Sequence, residues 1–131
     1  MSSLLADAWK DYEILDAGDG MKLERWGDVV LARPDPQVIW GKVKPDLWKK
    51  ADAVYKRSNT GGGAWQYKNE LSGKWTVNYK NLKFYVEPTG FKHTGLFPEQ
   101  AANWDIAIES IQKRIESGKK VKVLNLFGYT G

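Results

Sequence analysis

Turn-forming residues divide the first ninety residues of the sequence into short runs of alternating apolar and polar side chains. Residues 12–16 alternate in this way and lead into Gly18-Asp19-Gly20, after which residues 21–26 alternate again. A second turn at Gly27-Asp28 opens a third run, which ends near Arg33 because the two prolines that follow have no amide hydrogen for strand pairing. This pattern predicts a hairpin and a third strand.

Residues 45–57 change to a helical period. Apolar side chains recur at intervals of three and four residues, at Leu47, Trp48, Ala51, Val54 and Tyr55. Because Pro45 suits a first helical turn and lysines occupy the other side, the spacing predicts one amphipathic helix. The three consecutive glycines in residues 58–63 end this helix and indicate a loop.

Strand patterns return after the loop. They cover residues 65–68, 75–79 and 82–86, and Lys80-Asn81 supplies the turn between the last two. The order of strands, helix and strands predicts an α+β domain, which we assign to residues 1–90.

The last forty residues have a different character. Pro98 opens a helical pattern of Ala101, Trp104, Ile108, Ile111 and Ile115, and Ser117-Gly118 supplies its end. Residues 121–127 are then dominated by Val, Leu and Phe, which is typical of a strand buried on both faces of a parallel sheet. A helix that leads into such a strand predicts the start of an α/β domain in residues 91–131.

Composition excludes several classes of protein. The 131 residues contain no cysteine, one histidine and no long apolar run, which excludes a disulfide framework, cysteine-ligated zinc and a membrane-spanning helix. We therefore expect a cytoplasmic protein without a metal site and without a membrane partner. The net charge of +4 favours contact with polyanions, although charge alone is weak support for nucleic-acid binding.

The sequence ends in a glycine-containing turn that follows the predicted buried strand. In doubly wound folds the ligand lies at the carboxyl end of such a strand, where small residues let the backbone approach it. Two glycines three residues apart, Gly128 and Gly131, also fit an ordinary turn at the end of a strand.

Several stretches together resemble one protein family. Leu124-Asn125-Leu126-Phe127-Gly128-Tyr129-Thr130-Gly131 resembles the first cofactor motif of class I S-adenosylmethionine-dependent RNA methyltransferases related to the large-subunit ribosomal RNA cytosine-C5 enzymes. Residues 16–25, 33–37 and 91–100 also resemble that family, in the same order. The resemblance implies a substrate-binding domain followed by a Rossmann-like catalytic domain that is truncated after its first helix and strand.

The resemblance also implies where S-adenosylmethionine binds. It places Phe97, Gln100, Asn125, Gly128, Tyr129, Thr130 and Gly131 beside the cofactor. Asn125 stands where many of these enzymes have an acidic residue, and no catalytic residue falls within this chain. We therefore expect the complete protein to methylate a base of ribosomal or other structured RNA and the isolated chain to be inactive.

Basic and aromatic residues near the predicted helix are candidates for RNA contact. We select Lys49, Lys50, Arg57, Trp65 and Lys68, among further lysines at positions 42, 44 and 56. A solvated helix face explains the lysines about equally well. The single histidine, His93, is interpreted as a loop or packing residue, since the sequence shows no partner that would orient a catalytic base.

Two other functions remain open from the sequence, namely a non-catalytic RNA-binding module and a methyltransferase for a non-RNA substrate. Residues 121–127 also lack sheet neighbours in this chain. We expect them either to fold back on the rest of the chain or to form a dimer with the same segment of a second copy.

Overall fold

The computed structural model describes residues 4–126 and residue 128. They form seven strands, two 3-10 helices and one α-helix. The strands are β1 (Tyr12–Gly18), β2 (Met21–Trp26), β3 (Val29–Pro34), β4 (Ala53–Arg57), β5 (Gly63–Tyr67), β6 (Trp75–Tyr79) and β7 (Leu82–Val86). The 3-10 helices are Pro45–Lys50 and Pro98–Gln100, and α1 is Ala101–Glu116.

Strands β1 to β5 form one sheet in their sequence order, and β6 pairs with β7 in a separate hairpin. Among the strands of the described residues, β3 and β4 pair in parallel and the other pairs are antiparallel. The predicted β1–β2 hairpin is confirmed, and its turn contains Asp19 and Gly20 at φ values of 53° and 71°. Two successive residues with positive φ give a turn whose twist matches paired strands. Lys80, at φ 52°, lies in the predicted turn between β6 and β7.

The five-stranded sheet has two differently covered faces. On one face, Leu23 and Ala32 pack with Ala51 in a core to which Leu47 and Trp48 of the first 3-10 helix contribute. Side chains alternate along a strand, so the residues next to Leu23 and Ala32 in the chain, with their partners on the neighbouring strands, point to the other face. That row contains Lys22, Arg33, Tyr55 and Trp65.

The predicted helix over residues 45–57 is wrong beyond Lys50. The first 3-10 helix ends there, and Val54 and Tyr55 belong to β4 instead. The amide of Asp52 donates to the carbonyl of Val30 at 2.8 Å, and the Asp52 carboxylate accepts the amide of Val30 at 2.7 Å. Pairing with β3 therefore uses the backbone group that a continuing helix would need.

The predicted helix near the carboxyl end is confirmed. It begins with the 3-10 turn at Pro98 and continues as α1 to Glu116. Gly118 has a φ of 72°, and its amide donates to the carbonyl of Ile115 at 2.9 Å. A glycine in this conformation ends a helix without the steric cost that a side chain would add.

The predicted buried strand over residues 121–127 is wrong for its described part. Residues 121–126 form no strand, and Val123, Leu124 and Leu126 are 67%, 82% and 69% exposed. A central strand needs neighbours at both edges and cover on both faces, and the described chain places no strand beside this segment. Phe127 lies outside the described residues.

The chain divides into two compact units. One unit comprises residues 8–96 and contains both sheets, and the other comprises residues 1–7 and 97–131 and contains α1. The expected α+β class therefore takes the form of a mixed sheet with few helices. The unit of residues 8–96, which carries both sheets, contains no α-helix.

Candidate functional site

The described cofactor candidates lie in two places of the second unit, one before α1 and one after it. Phe97 is half-buried and precedes the 3-10 turn, whose amide at Gln100 donates to the Phe97 carbonyl at 3.1 Å. The Gln100 side-chain oxygen accepts a hydrogen bond from Asn103 at 2.9 Å. These two candidates are thus brought together by the start of α1.

Asn125 and Gly128 lie beside each other after α1. A Cβ atom added to Gly128 would lie 2.8 Å from the Asn125 side-chain nitrogen, so a residue with a side chain would displace this amide. Asn125 is exposed and Gly128 is half-buried. The remaining candidates, Tyr129, Thr130 and Gly131, lie outside the described residues.

The RNA candidates are divided between the faces of the sheet. Lys49 and Lys50 are exposed on the 3-10 helix that covers the Ala32 face, and Lys49 forms an ion pair with Asp46 at 2.7 Å. Arg57 follows Tyr55 by two residues in β4 and therefore points to the other face. Lys68 is exposed just after β5, where its amide donates to the Asp52 carbonyl at 2.7 Å.

Trp65 lies on the same face as Arg57 but is half-buried and hydrogen-bonded. Its indole nitrogen donates to the carbonyl of Thr89 at 2.8 Å and to that of Phe91 at 3.1 Å. Its ring meets the Tyr55 ring edge-on, with 5.5 Å between the centroids. The indole thereby fixes the loop that follows β7, whereas the sequence suggested an exposed ring that would stack on bases.

A buried ion pair lies on this face. Glu24 is completely buried, and its carboxylate accepts two hydrogen bonds from the guanidinium of Arg33, of which the Nη2–Oε1 bond is 2.9 Å long. Tyr12 adds a hydroxyl donor to Glu24 at 2.6 Å. Arg33 also donates to the Lys92 carbonyl at 3.2 Å, so this pair connects the sheet to the loop after β7.

Sequence reasoning missed a group of basic residues around that loop. Lys92 donates from Nζ to the Pro34 carbonyl at 3.4 Å, and Lys22 lies 3.6 Å from the Asp35 carboxylate. Partial desolvation lowers the pKa of Lys92, and the positive charge of Arg57 lowers it further. Partial desolvation and the charges of Arg33 and Lys92 also lower the pKa of His93. Part of the signal was available in the sequence, because stretches that carry the family resemblance contain Lys22, Arg33 and Lys92, and Arg57 was already selected as an RNA candidate.

Asp16 fastens the segment before the first 3-10 helix to the sheet. Its carboxylate accepts the Trp48 indole N–H at 2.7 Å and the Lys44 amide at 2.9 Å, with a longer contact of 3.4 Å from Val43. The hydrogen bond from Trp48 is the main reason that the pKa of Asp16 is lowered. The hydrogen bonds that attach this segment to the sheet therefore also favour the ionised form of the Asp16 carboxylate.

A shallow depression of about 360 Å³ is present elsewhere on the first unit. It is lined by Tyr67, Glu70, Leu71, Gly73, Glu87 and Pro88, none of which is a cofactor or RNA candidate.

In residues 4–126 and 128, no helix is both long and apolar enough to cross a bilayer. The same residues contain no cluster of three side chains suited to hold a metal ion.

This chain is similar to solved structures, two of which are from Agrobacterium tumefaciens and Streptococcus mutans. The SAM-dependent methyltransferase from Agrobacterium tumefaciens is 36% identical over 94% of this chain, with a TM-score of 0.84. A protein from Streptococcus mutans, which is described as a proposed SAM-dependent methyltransferase, matches 82% of this chain at 16% identity, with a TM-score of 0.50. At this low identity the similarity shows a shared fold alone. The sequence matches no family model and no curated protein.

The chain spans 39% of the Agrobacterium protein and 30% of the Streptococcus protein. It is therefore similar, over nearly its whole length, to part of a larger protein that depends on S-adenosylmethionine.

Proposed function

We propose that this chain is the N-terminal part of a class I S-adenosylmethionine-dependent methyltransferase whose substrate is a base in structured RNA, ribosomal RNA above all, in the cytoplasm. The observation that carries the proposal is the 36% identity to the Agrobacterium methyltransferase over 94% of the chain. Because the chain spans only 39% of that protein, catalysis is proposed for the complete protein.

The proximity of Asn125 and Gly128 supports S-adenosylmethionine as the cofactor. Asn125 offers an amide that can both donate to a carboxylate and accept from an ammonium, the two groups of a methionine moiety. Gly128 leaves the space next to that amide free of a side chain. When bound, the cofactor supplies an electrophilic methyl group, and these two residues would hold its amino-acid end.

RNA as the substrate rests on charge and on exposed basic residues. The chain has a net charge of +4 and a pI near 9.2. Lys49, Lys50, Arg57 and Lys68 are all exposed and can approach a phosphate backbone. Two alternative functions remain, a methyltransferase for a non-RNA substrate and a non-catalytic RNA-binding module. The following test distinguishes them from the proposed function.

The test uses the protein encoded by the complete reading frame, incubated with tritiated S-adenosylmethionine and total RNA or protein extract. We expect label in RNA that ribonuclease releases. Label found only in protein or in small molecules would show that the substrate is not RNA. RNA binding without any methyl transfer would identify the non-catalytic module.

A pair of glycine variants tests this cofactor site in the same protein. Gly128→Ala places a Cβ atom 2.8 Å from the Asn125 amide nitrogen, so we expect weaker binding of S-adenosylmethionine. Gly90→Ala is the matched control, because its Cβ atom would meet nothing within 4 Å. Equal cofactor affinity of the two variants would exclude Gly128 from the binding site.

A further inference from the structure

The cations around Lys92 outnumber the carboxylates near them. Lys22, Arg33 and Arg57 point to one face of the sheet, and the Arg33 guanidinium donates to the Lys92 carbonyl at 3.2 Å, so Lys92 lies on this face. After the larger effect of partial desolvation, the positive charges of Arg57, Lys22 and Arg33 lower the pKa of Lys92, whereas the carboxylate of Asp35 raises it. Arg33 is already paired with the buried carboxylate of Glu24. Asp35 lies 3.6 Å from Lys22.

Arg57 and Lys92 therefore carry the surplus charge of this cluster. Among the described residues, neither side chain has a carboxylate within ion-pair distance, and Lys92 makes only a 3.4 Å contact with the Pro34 carbonyl. Partial desolvation is the main cause that lowers the pKa of Lys92, and repulsion by the positive charge of Arg57 lowers it further. An anion placed between them would relieve this repulsion.

An exposed aromatic ring adjoins the cluster. Phe91 precedes Lys92 in the chain, and its side chain is 71% exposed. Its backbone is fixed, because the Trp65 indole donates to the Phe91 carbonyl at 3.1 Å and the Thr89 hydroxyl donates to the His93 carbonyl at 2.9 Å. A hydrogen-bonded loop thus exposes a phenyl ring at the residue that precedes Lys92.

Unneutralised cations beside an exposed ring are the combination that binds single-stranded nucleic acid, since cations neutralise phosphates and rings stack on bases. We propose that Arg57, Lys92 and Phe91 form a binding site for one or two phosphates and a neighbouring unpaired base of RNA. The proposal rests on the proposed function, because RNA is the substrate assigned there. Trp65 is a positioning residue for this site.

This assignment separates Arg57 from Lys49 and Lys50. The two lysines lie on the 3-10 helix that covers the opposite face of the sheet, and Lys49 is already paired with Asp46. One RNA strand that contacts Arg57 and Lys92 is therefore not expected to need the lysine pair.

The test measures binding of a short fluorescein-labelled oligouridine to the 131-residue chain by fluorescence anisotropy at several salt concentrations. The variant is Arg57→Gln with Lys92→Gln, and the matched control is Lys49→Gln with Lys50→Gln, which removes the same charge. We expect the first variant to lower the salt slope by roughly 1.4, given about 0.7 per phosphate contact on a single strand. We expect the control to keep the slope of the unmodified chain.

A third variant tests stacking. Phe91→Ala should weaken binding about fivefold or more without changing the salt slope, because the ring carries no charge. Trp65→Phe should weaken binding through the freed loop, while Phe91 and both cations are retained. Thermal unfolding of each variant checks that the fold is intact.

Three outcomes overturn the proposal. Equal salt slopes of oligouridine binding for the two double variants would show that Arg57 and Lys92 do not form the binding site. Displacement of the oligouridine by inorganic phosphate at concentrations too low for an ionic-strength effect would assign the cations to a free phosphate ligand. Unchanged affinity of Phe91→Ala would exclude base stacking. Each of these leaves methyl transfer by the complete protein untouched, whereas label in protein instead of RNA would refute the proposed substrate even if oligouridine binds here.

Discussion

At the scale of single residues, the ion pair of Glu24 and Arg33 is sensitive to mutation, because both side chains are buried. We expect Glu24→Gln to lower the free energy of unfolding by about 3 kcal/mol or more, since a buried guanidinium loses its counter-charge. Urea unfolding measures the change. The exposed pair of Lys49 and Asp46 is the control, and Asp46→Asn should change stability little. A small effect of Glu24→Gln would mean that Arg33 finds another partner or becomes solvated.

Asp16 makes stability depend on pH. Hydrogen bonds from Trp48 and from backbone amides lower its pKa in the folded chain below the ordinary value of 3.8. A lowered folded pKa stabilises the fold above the unfolded pKa, and this contribution is lost as the pH falls through the folded value. We expect Asp16→Asn to be less stable than the unmodified chain at about pH 6, with a difference that shrinks below about pH 4. A difference that stays constant over this range would show that ionisation of Asp16 is not the cause.

At the scale of secondary-structure elements, the β1–β2 hairpin depends on a close backbone approach at Gly18. A Cβ atom there would lie 2.7 Å from the carbonyl carbon of Gly41 and closer still to the backbone of Lys42. We expect Gly18→Ala to lower the free energy of unfolding by about 1–3 kcal/mol, because backbone atoms must shift. Gly90→Ala is the control with open space. Equal stability of the two variants would show that the 41–42 segment moves away without cost.

The segment after α1 exposes three large apolar side chains within four residues. Val123, Leu124 and Leu126 are largely exposed, and their backbone is unpaired in any sheet of the described residues. We expect this segment to promote dimerisation of the 131-residue chain, because apolar side chains and unpaired strands associate. Light scattering over a concentration series measures the mass, and replacement of the three residues by Ser should give a monomer. Dimers that survive this replacement would require another interface.

At the scale of the whole molecule, the share of the similar Agrobacterium methyltransferase that this chain spans bears on its activity. The chain spans 39% of the Agrobacterium protein, and Asn125 in the candidate cofactor site is exposed. Ligand sites normally bury most of their ligand, so we expect the isolated 131-residue chain to bind S-adenosylmethionine weakly and to transfer no methyl group. Calorimetry and a tritium-transfer assay measure the two quantities. Robust methyl transfer by this chain would contradict the prediction.

The sequence by itself determined the elements that depend on neighbouring residues. Asp19 and Gly20 both take positive φ values, as does Lys80 in the turn between β6 and β7, and α1 ends with Gly118 at φ 72°. In each case the information is local, because a short run of side chains sets the backbone conformation. The stretches that carry the family resemblance are local in the same sense.

Tertiary structure decided whatever depends on residues far apart in the chain. Val54 and Tyr55 have helical spacing, yet the pairing of Asp52 with Val30 turns this segment into a strand, since non-local pairing overrides a local pattern. The cluster of Lys22, Arg57 and Lys92 exists because the sheet and the loop after β7 bring three distant segments together. Spacing along the chain does not encode which segments pair, so only the folded sheet shows which cations share a face.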